Sequence, residues 1–108
     1  QALLAKGAQV NRNGWTALHY AAASGDDEIA RILLQRGARV DSLSPPASGA
    51  YTPLMMAARE GHDSTALMLI EQGANPTLKN TEGLDAVQLA ERAGKTHVAS
   101  AISARSRR

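Results

Sequence analysis

YTPLMMAAREGHDSTALMLIEQGA, residues 51–74, contains two short apolar segments separated by one glycine and closed by a second. Nearly the same pattern stands upstream as WTALHYAAASGDDEIARILLQRGA at residues 15–38. A weaker copy, LDAVQLAERAGKTHVASAISA, follows from Leu84, and ALLAKGA at residues 2–8 matches only the tail end. Thr16 and Thr52 are 36 positions apart, Thr52 and Asp85 are 33 apart, and the pairs Gly25/Gly37 and Gly61/Gly73 share a spacing of 12. Self-similarity at such a period marks a stacked repeat array. Each unit of such an array buries its apolar face against its neighbours instead of around one centre.

The punctuation of each copy predicts two helices. Thr16 and Thr52 are N-cap residues whose hydroxyls can accept a first-turn backbone N–H, and Asp85 does the same in the last copy. Pro53 follows Thr52 at the first helical position, where its missing N–H is not needed. Gly25, Gly61 and Gly94 end the first helices, because a left-handed residue past a helix end suits glycine. The first helix of the first full copy is expected from Thr16 to Ala23, and the second helices over 27–36, 63–72 and 96–104. Ile29, Ile32 and Leu33 form one apolar stripe at i, i+3 and i+4, and Ala66, Leu69 and Ile70 repeat it. Helices this short fall below the ~12–15 residues needed for marginal stability alone, so they persist only by packing. The connecting segments are rich in turn residues, and the middle one, containing SLSPPASG, is longer than regular spacing requires.

Composition narrows the function classes. The chain has 108 residues, no Phe, one Trp and two Tyr, so its core must come from Leu, Ile, Val, Met and Ala. The formal charge is +2, and Arg105, Arg107 and Arg108 supply all of that excess, leaving the body close to neutral. Three arginines at a terminus without aromatic neighbours read as a solubilising tail, and no nucleic-acid partner is expected. The absence of cysteine excludes a disulfide, a zinc–thiolate site and a thiol nucleophile, and it leaves the compartment open. No apolar run approaches the ~18 residues that a membrane span needs, so no membrane partner is expected.

These units resemble the ankyrin repeat family. TALHYAA matches T-x-L-H-x-A-A, TPLMMAA matches T-P-L-x-x-A-A, and LLQRGA and LIEQGA match the ending L-L-x-x-G-A. The resemblance implies a mainly α fold, an ankyrin-type solenoid of helix–turn–helix units joined by hairpin-like loops. It places a single domain over 1–108: the end of a truncated repeat at 1–11, repeats at 12–41 and 42–76, and a C-terminal capping repeat at 77–108. Val98 and Ile102 form one apolar stripe there, with Ser100, Ser103 and Arg105 off it, as a terminal unit requires. Leu3 and Leu4 sit where Leu33 and Leu34 sit in the next copy, without a first helix, so the chain reads as a C-terminal fragment. The family's His links neighbouring turns by hydrogen bonds, a role that falls to His19. Met55 and Gln88 stand at the equivalent positions of the later copies.

No catalytic constellation emerges. His19, His62 and His97 fall at three different positions of the repeat, so they are not expected to converge on a metal, and no cofactor is implied. Asp26, Asp27 and Glu28 sit at a helix N-terminus, where acidic side chains are favourable. Ser64 and Thr65 lie near His62, but no third residue orients a nucleophile–base pair. Trp15 and Tyr51 occupy the same place in consecutive copies, one residue before the capping Thr. By analogy with ankyrin repeats that place is on the loop side of the concave face, where an aromatic either packs against its own hairpin or acts as a binding hot spot. Arg12, Asn13, Ala23, Ser24, Arg59, Glu60, Lys79, Thr81, Glu82 and Arg92 would complete the same surface, with Arg59 and Arg92 flanking the aromatics with positive charge. The expected function is a monomeric, non-catalytic protein–protein interaction module that binds another protein through the concave face and loop tips. The alternative is a regulatory or targeting domain of a longer, possibly enzymatic, protein.

Overall fold

The computed structural model of the chain describes residues 15–106. Leu3, Leu4, Arg12, Asn13, Arg107 and Arg108 lie outside that range, and so does the expected remnant at 1–11. The described residues form six α-helices and no strand: α1 Ala17–Ser24, α2 Asp27–Gln35, α3 Pro53–Glu60, α4 Asp63–Glu71, α5 Ala86–Arg92 and α6 Thr96–Ser106. They pair as α1/α2, α3/α4 and α5/α6. The first members stack as an inner row, α1 on α3 on α5, and the second members as an outer row, α2 on α4 on α6. The molecule is thus a mainly α helix–turn–helix solenoid.

The expected caps are present. Thr16 and Thr52 accept the backbone N–H of His19 and Met55 at 3.3 and 3.1 Å, and the Asp85 carboxylate accepts that of Gln88 at 2.9 Å. Gly25 and Gly61 take left-handed conformations at φ 74° and 83° directly after α1 and α3. Gly94 does so one residue later, because Ala93 still closes α5. Helix ends differ from expectation by a residue or two, as terminal turns commonly do.

The inner row packs closely because its facing residues are small. Ala21 and Ala22 of α1, Ala57 and Ala58 of α3 and Ala90 of α5 are all buried. Leu18, Leu54 and Leu89 fill the space between inner and outer rows, together with Leu33, Leu69 and Ile102. The predicted stripe of α2 is shifted: Ala30 and Leu33 are buried, whereas Ile29 and Ile32 are only half-buried. In α4 the buried set is Thr65, Ala66, Met68 and Leu69, with Ile70 at its edge. In α6 Val98, Ala99 and Ile102 are buried and Ser100 faces solvent, so the last helix has the expected dry and wet sides.

The long middle segment folds back on itself. Pro46–Ser48 form a 3-10 turn, Gly49 follows at φ 111° and Ala50 at φ 54°. Ser44 and Tyr51 then close the hairpin: the Ser44 N–H donates to the Tyr51 carbonyl at 2.9 Å, and the Tyr51 N–H donates to Ser44 Oγ at 2.8 Å. Successive loops are joined. The Asn75 N–H donates to the Asp41 carboxylate at 3.1 Å, and the Thr81 N–H to the Gly49 carbonyl at 2.9 Å.

Candidate functional site

His19 anchors the region where the first two inner helices meet their loops. Its ring is fully buried, and Nε2 lies 2.7 Å from the Tyr51 carbonyl oxygen. A carbonyl can only accept, so Nε2 carries the proton. Nδ1 correspondingly accepts the Thr16 N–H at 3.1 Å, with the Thr16 hydroxyl 2.9 Å away. Burial lowers the imidazole pKa below 6.5, and this outweighs the backbone groups of Tyr51 and Ser42 that favour the charged form. His19 is therefore a neutral link between one helix pair and the next loop, as the resemblance implied. Its counterpart Met55 offers only a sulfur, 3.4 Å from the Thr52 N–H.

That link holds Tyr51 beside Trp15. Their ring centroids are 6.2 Å apart with planes tilted by 34°, and Trp15 meets the His19 ring edge-on at 5.3 Å. Both rings are half-buried against the core. The Arg59 guanidinium lies over the Tyr51 ring, 5.1 Å from its centroid and within cation–π range. Gly49 beneath Tyr51 has no room for a side chain, since a Cβ there would collide with the tyrosine ring. A groove of 260 Å³ opens beside this ladder, lined mainly by apolar atoms of Trp15, His19, Tyr20, Met56 and Arg59.

The other predicted surface residues fall around it. Ser24 ends α1, exposed, with its hydroxyl on the Ala21 carbonyl at 3.1 Å. Ala23 is half-buried, and its carbonyl accepts from His62 Nε2 at 3.0 Å. Lys79, Thr81 and Glu82 are exposed on the loop before α5. The expected flank of positive charge is weaker than the sequence suggested, because each arginine has an acidic partner. Arg59 Nε pairs with Glu60 at 3.2 Å, and Arg92 with Glu82 at 3.3 Å.

Tyr20 and Met56 escaped the sequence reading. Tyr20 stands in register with Met56 and Leu89, which are 7% and 2% exposed, yet it is itself 65% exposed. An aromatic at a register position filled by aliphatic residues in the later copies was the available signal. Leu43, at 53% exposure, is the other large apolar side chain in solvent among the described residues.

The outer row carries a separate polar junction. Asp26 caps α2, accepting the Ile29 N–H at 3.1 Å. Asp27 instead reaches into the next helix pair, where its carboxylate accepts from the hydroxyls of Ser64 and Thr65. Burial raises the Asp27 pKa, but these hydroxyls, with Arg31 and His62 nearby, outweigh it and hold the group below its ordinary value. Ser64 and Thr65 are thus joints between units. His62 covers Gly25, whose Cβ would meet its Nδ1 at 2.6 Å, and Lys95 covers Gly61 in the same way. His97 is exposed on α6. The three histidines do not meet, and no group of three His, Asp or Glu among the described residues is arranged to hold a metal.

The family model described as "Ankyrin repeats (3 copies)" matches residues 1–44, and that described as "Ankyrin repeat" matches residues 51–81. Together they cover well over half the chain, and the first of them contains the His19 link. The chain belongs to the ankyrin repeat family.

Proposed function

We propose that the concave surface formed by the inner helices and loop tips binds another protein, centred on Trp15 and Tyr51. Ankyrin repeats are generally protein–protein interaction modules and generally non-catalytic. The observation that carries the reading is the open groove beside the Trp15–Tyr51–Arg59 ladder. Aromatic and Arg side chains that are partly desolvated at a groove are the groups that concentrate binding energy. Ser24, Glu60, Lys79, Glu82 and Arg92 form its polar surround, and Arg12 and Asn13 extend it by sequence. The three helix pairs support units at 12–41, 42–76 and 77–108 within one domain, acting as a monomer without metal, cofactor or nucleic acid.

The two roles considered for Trp15 and Tyr51 are compatible with each other. Both rings pack against the core, Trp15 also lines the groove, and Tyr51 meets it through Arg59. Tyr20 gives the cleaner test, because its exposed ring contributes little to the core. With a partner recovered by affinity capture, Tyr20→Ala should leave the melting temperature unchanged and weaken binding by about 2 kcal/mol, the scale of an interface hot spot. Trp15→Ala should lower both. Unchanged affinity in both variants would move the recognition surface elsewhere.

A further inference from the structure

We infer that the groove between α1 and α3 accepts one large apolar side chain of a partner polypeptide, and that Arg59 grips a carboxylate beside that side chain. This deepens the concave-face reading and rests on it. Size is the first observation. A dry cavity of about 150 Å³ accommodates a benzene ring, whereas pockets for drug-sized ligands begin near 300 Å³. At 260 Å³ the groove suits a single aromatic or long aliphatic side chain. Its walls agree, because Trp15, Tyr20 and Met56 offer apolar surface on both sides.

Charge decides what accompanies that side chain. Arg59 sits in the last turn of α3 with its guanidinium over the Tyr51 ring, 5.1 Å from the centroid. Glu60 engages Nε alone, so the two terminal nitrogens meet no acceptor among the described residues. A planar fork with one edge free is the geometry that takes a carboxylate through two parallel N–H···O bonds. Guanidinium nitrogens only donate, so the free edge offers no acceptor to a Lys or Arg of the partner. The recognised element is an apolar residue with Asp or Glu as a near neighbour.

The chain contains a single tryptophan, and it lines the groove, so its emission reports occupancy directly. A displayed library of random linear peptides, selected on the wild-type protein, supplies the probes. Enriched peptides should carry an apolar residue next to Asp or Glu, and synthetic versions should shift Trp15 emission saturably. Replacing the acidic residue by its amide, or making Arg59→Gln in the protein, should weaken binding about fivefold, the scale of one exposed charge pair. Arg59→Lys should fall between, since it keeps charge but loses the fork. Melting curves matching wild type confirm that each variant is folded. Enrichment of uncharged or basic peptides, or equal binding to Arg59→Gln, would overturn the inference. So would peptides that leave Trp15 emission unchanged but depend on Lys79 or Arg92, although these would still support recognition by the concave face. Peptides insensitive to every residue of that face would overturn both.

Discussion

His19→Met would replace the buried link between the first two units with the residue that the next unit already carries at that position. Met55 is buried at 1% exposure, so the side chain is known to fit this environment. What is lost is the Nε2–H bond to the Tyr51 carbonyl at 2.7 Å, and the Thr16 N–H exchanges a nitrogen acceptor for a sulfur. The Tyr51 carbonyl keeps the Ser44 N–H at 2.9 Å, so it is not orphaned. One net hydrogen bond lost and a second weakened comes to about 1–2 kcal/mol. In a domain of this size that is a fall of roughly 4–8 °C in Tm per kcal/mol. The pH dependence supplies a signature that a merely looser core would not show. The folded His19 pKa is lowered below 6.5, so in acid the unfolded chain takes up a proton that the folded chain refuses. Stability from this group is complete above the unfolded value and is lost as the pH falls below it. Wild type and His19→Met, melted in parallel from neutral pH down to about pH 5, should therefore converge, and the histidines common to both cancel from the comparison. Equal stability at neutral pH, or a gap that stays constant on acidification, would refute the neutral-link assignment.

Two further substitutions probe the backbone. Gly25→Ala should destabilise by at least about 1–2 kcal/mol, from the left-handed backbone alone and more from collision with His62. Gly37→Ala, at φ 97° with open space around it, should bear only the backbone penalty. Adding His62→Ala should relieve part of the Gly25→Ala loss and none of the Gly37→Ala loss, which chemical denaturation can resolve as a double-mutant cycle. Ala50 is the one described non-glycine residue with positive φ, at 54°. Ala50→Gly should raise the denaturation midpoint by an amount equivalent to a few tenths to about 1 kcal/mol, since glycine bears no Cβ strain there. A lower midpoint would show that the Ala50 side chain contributes packing that outweighs the strain.

Most of the solenoid was legible in the amino-acid sequence because its specifying contacts are local. Thr16 with His19, Thr52 with Met55 and Asp85 with Gln88 are each three positions apart, so capping could be read directly. Gly25, Gly61 and Gly94 marked the helix ends for the same reason, and the spacing of the copies set the register of the stack. The shifted stripe of α2 was a failure of periodicity: which of Ile29, Ala30, Ile32 and Leu33 turns inward depends on where α1 and α4 lie. Contacts between units were hidden more deeply. Asp27 with Thr65 and His62 with Ala23 span more than thirty positions and follow no residue pattern within one copy, whereas Trp15 beside Tyr51 follows from their matching places in consecutive copies. The first two are set by the rotation and translation from one helix pair to the next, a sum of many small packing terms. The groove is of the same kind, since Tyr20 and Met56 share a register position and only the stack leaves one exposed and the other buried. The repeat and its caps were decided by sequence, through contacts within a turn or two of chain. Which aromatic faces open, and which arginine keeps a free edge beside them, was decided by tertiary structure, because exposure belongs to the neighbours a residue is given.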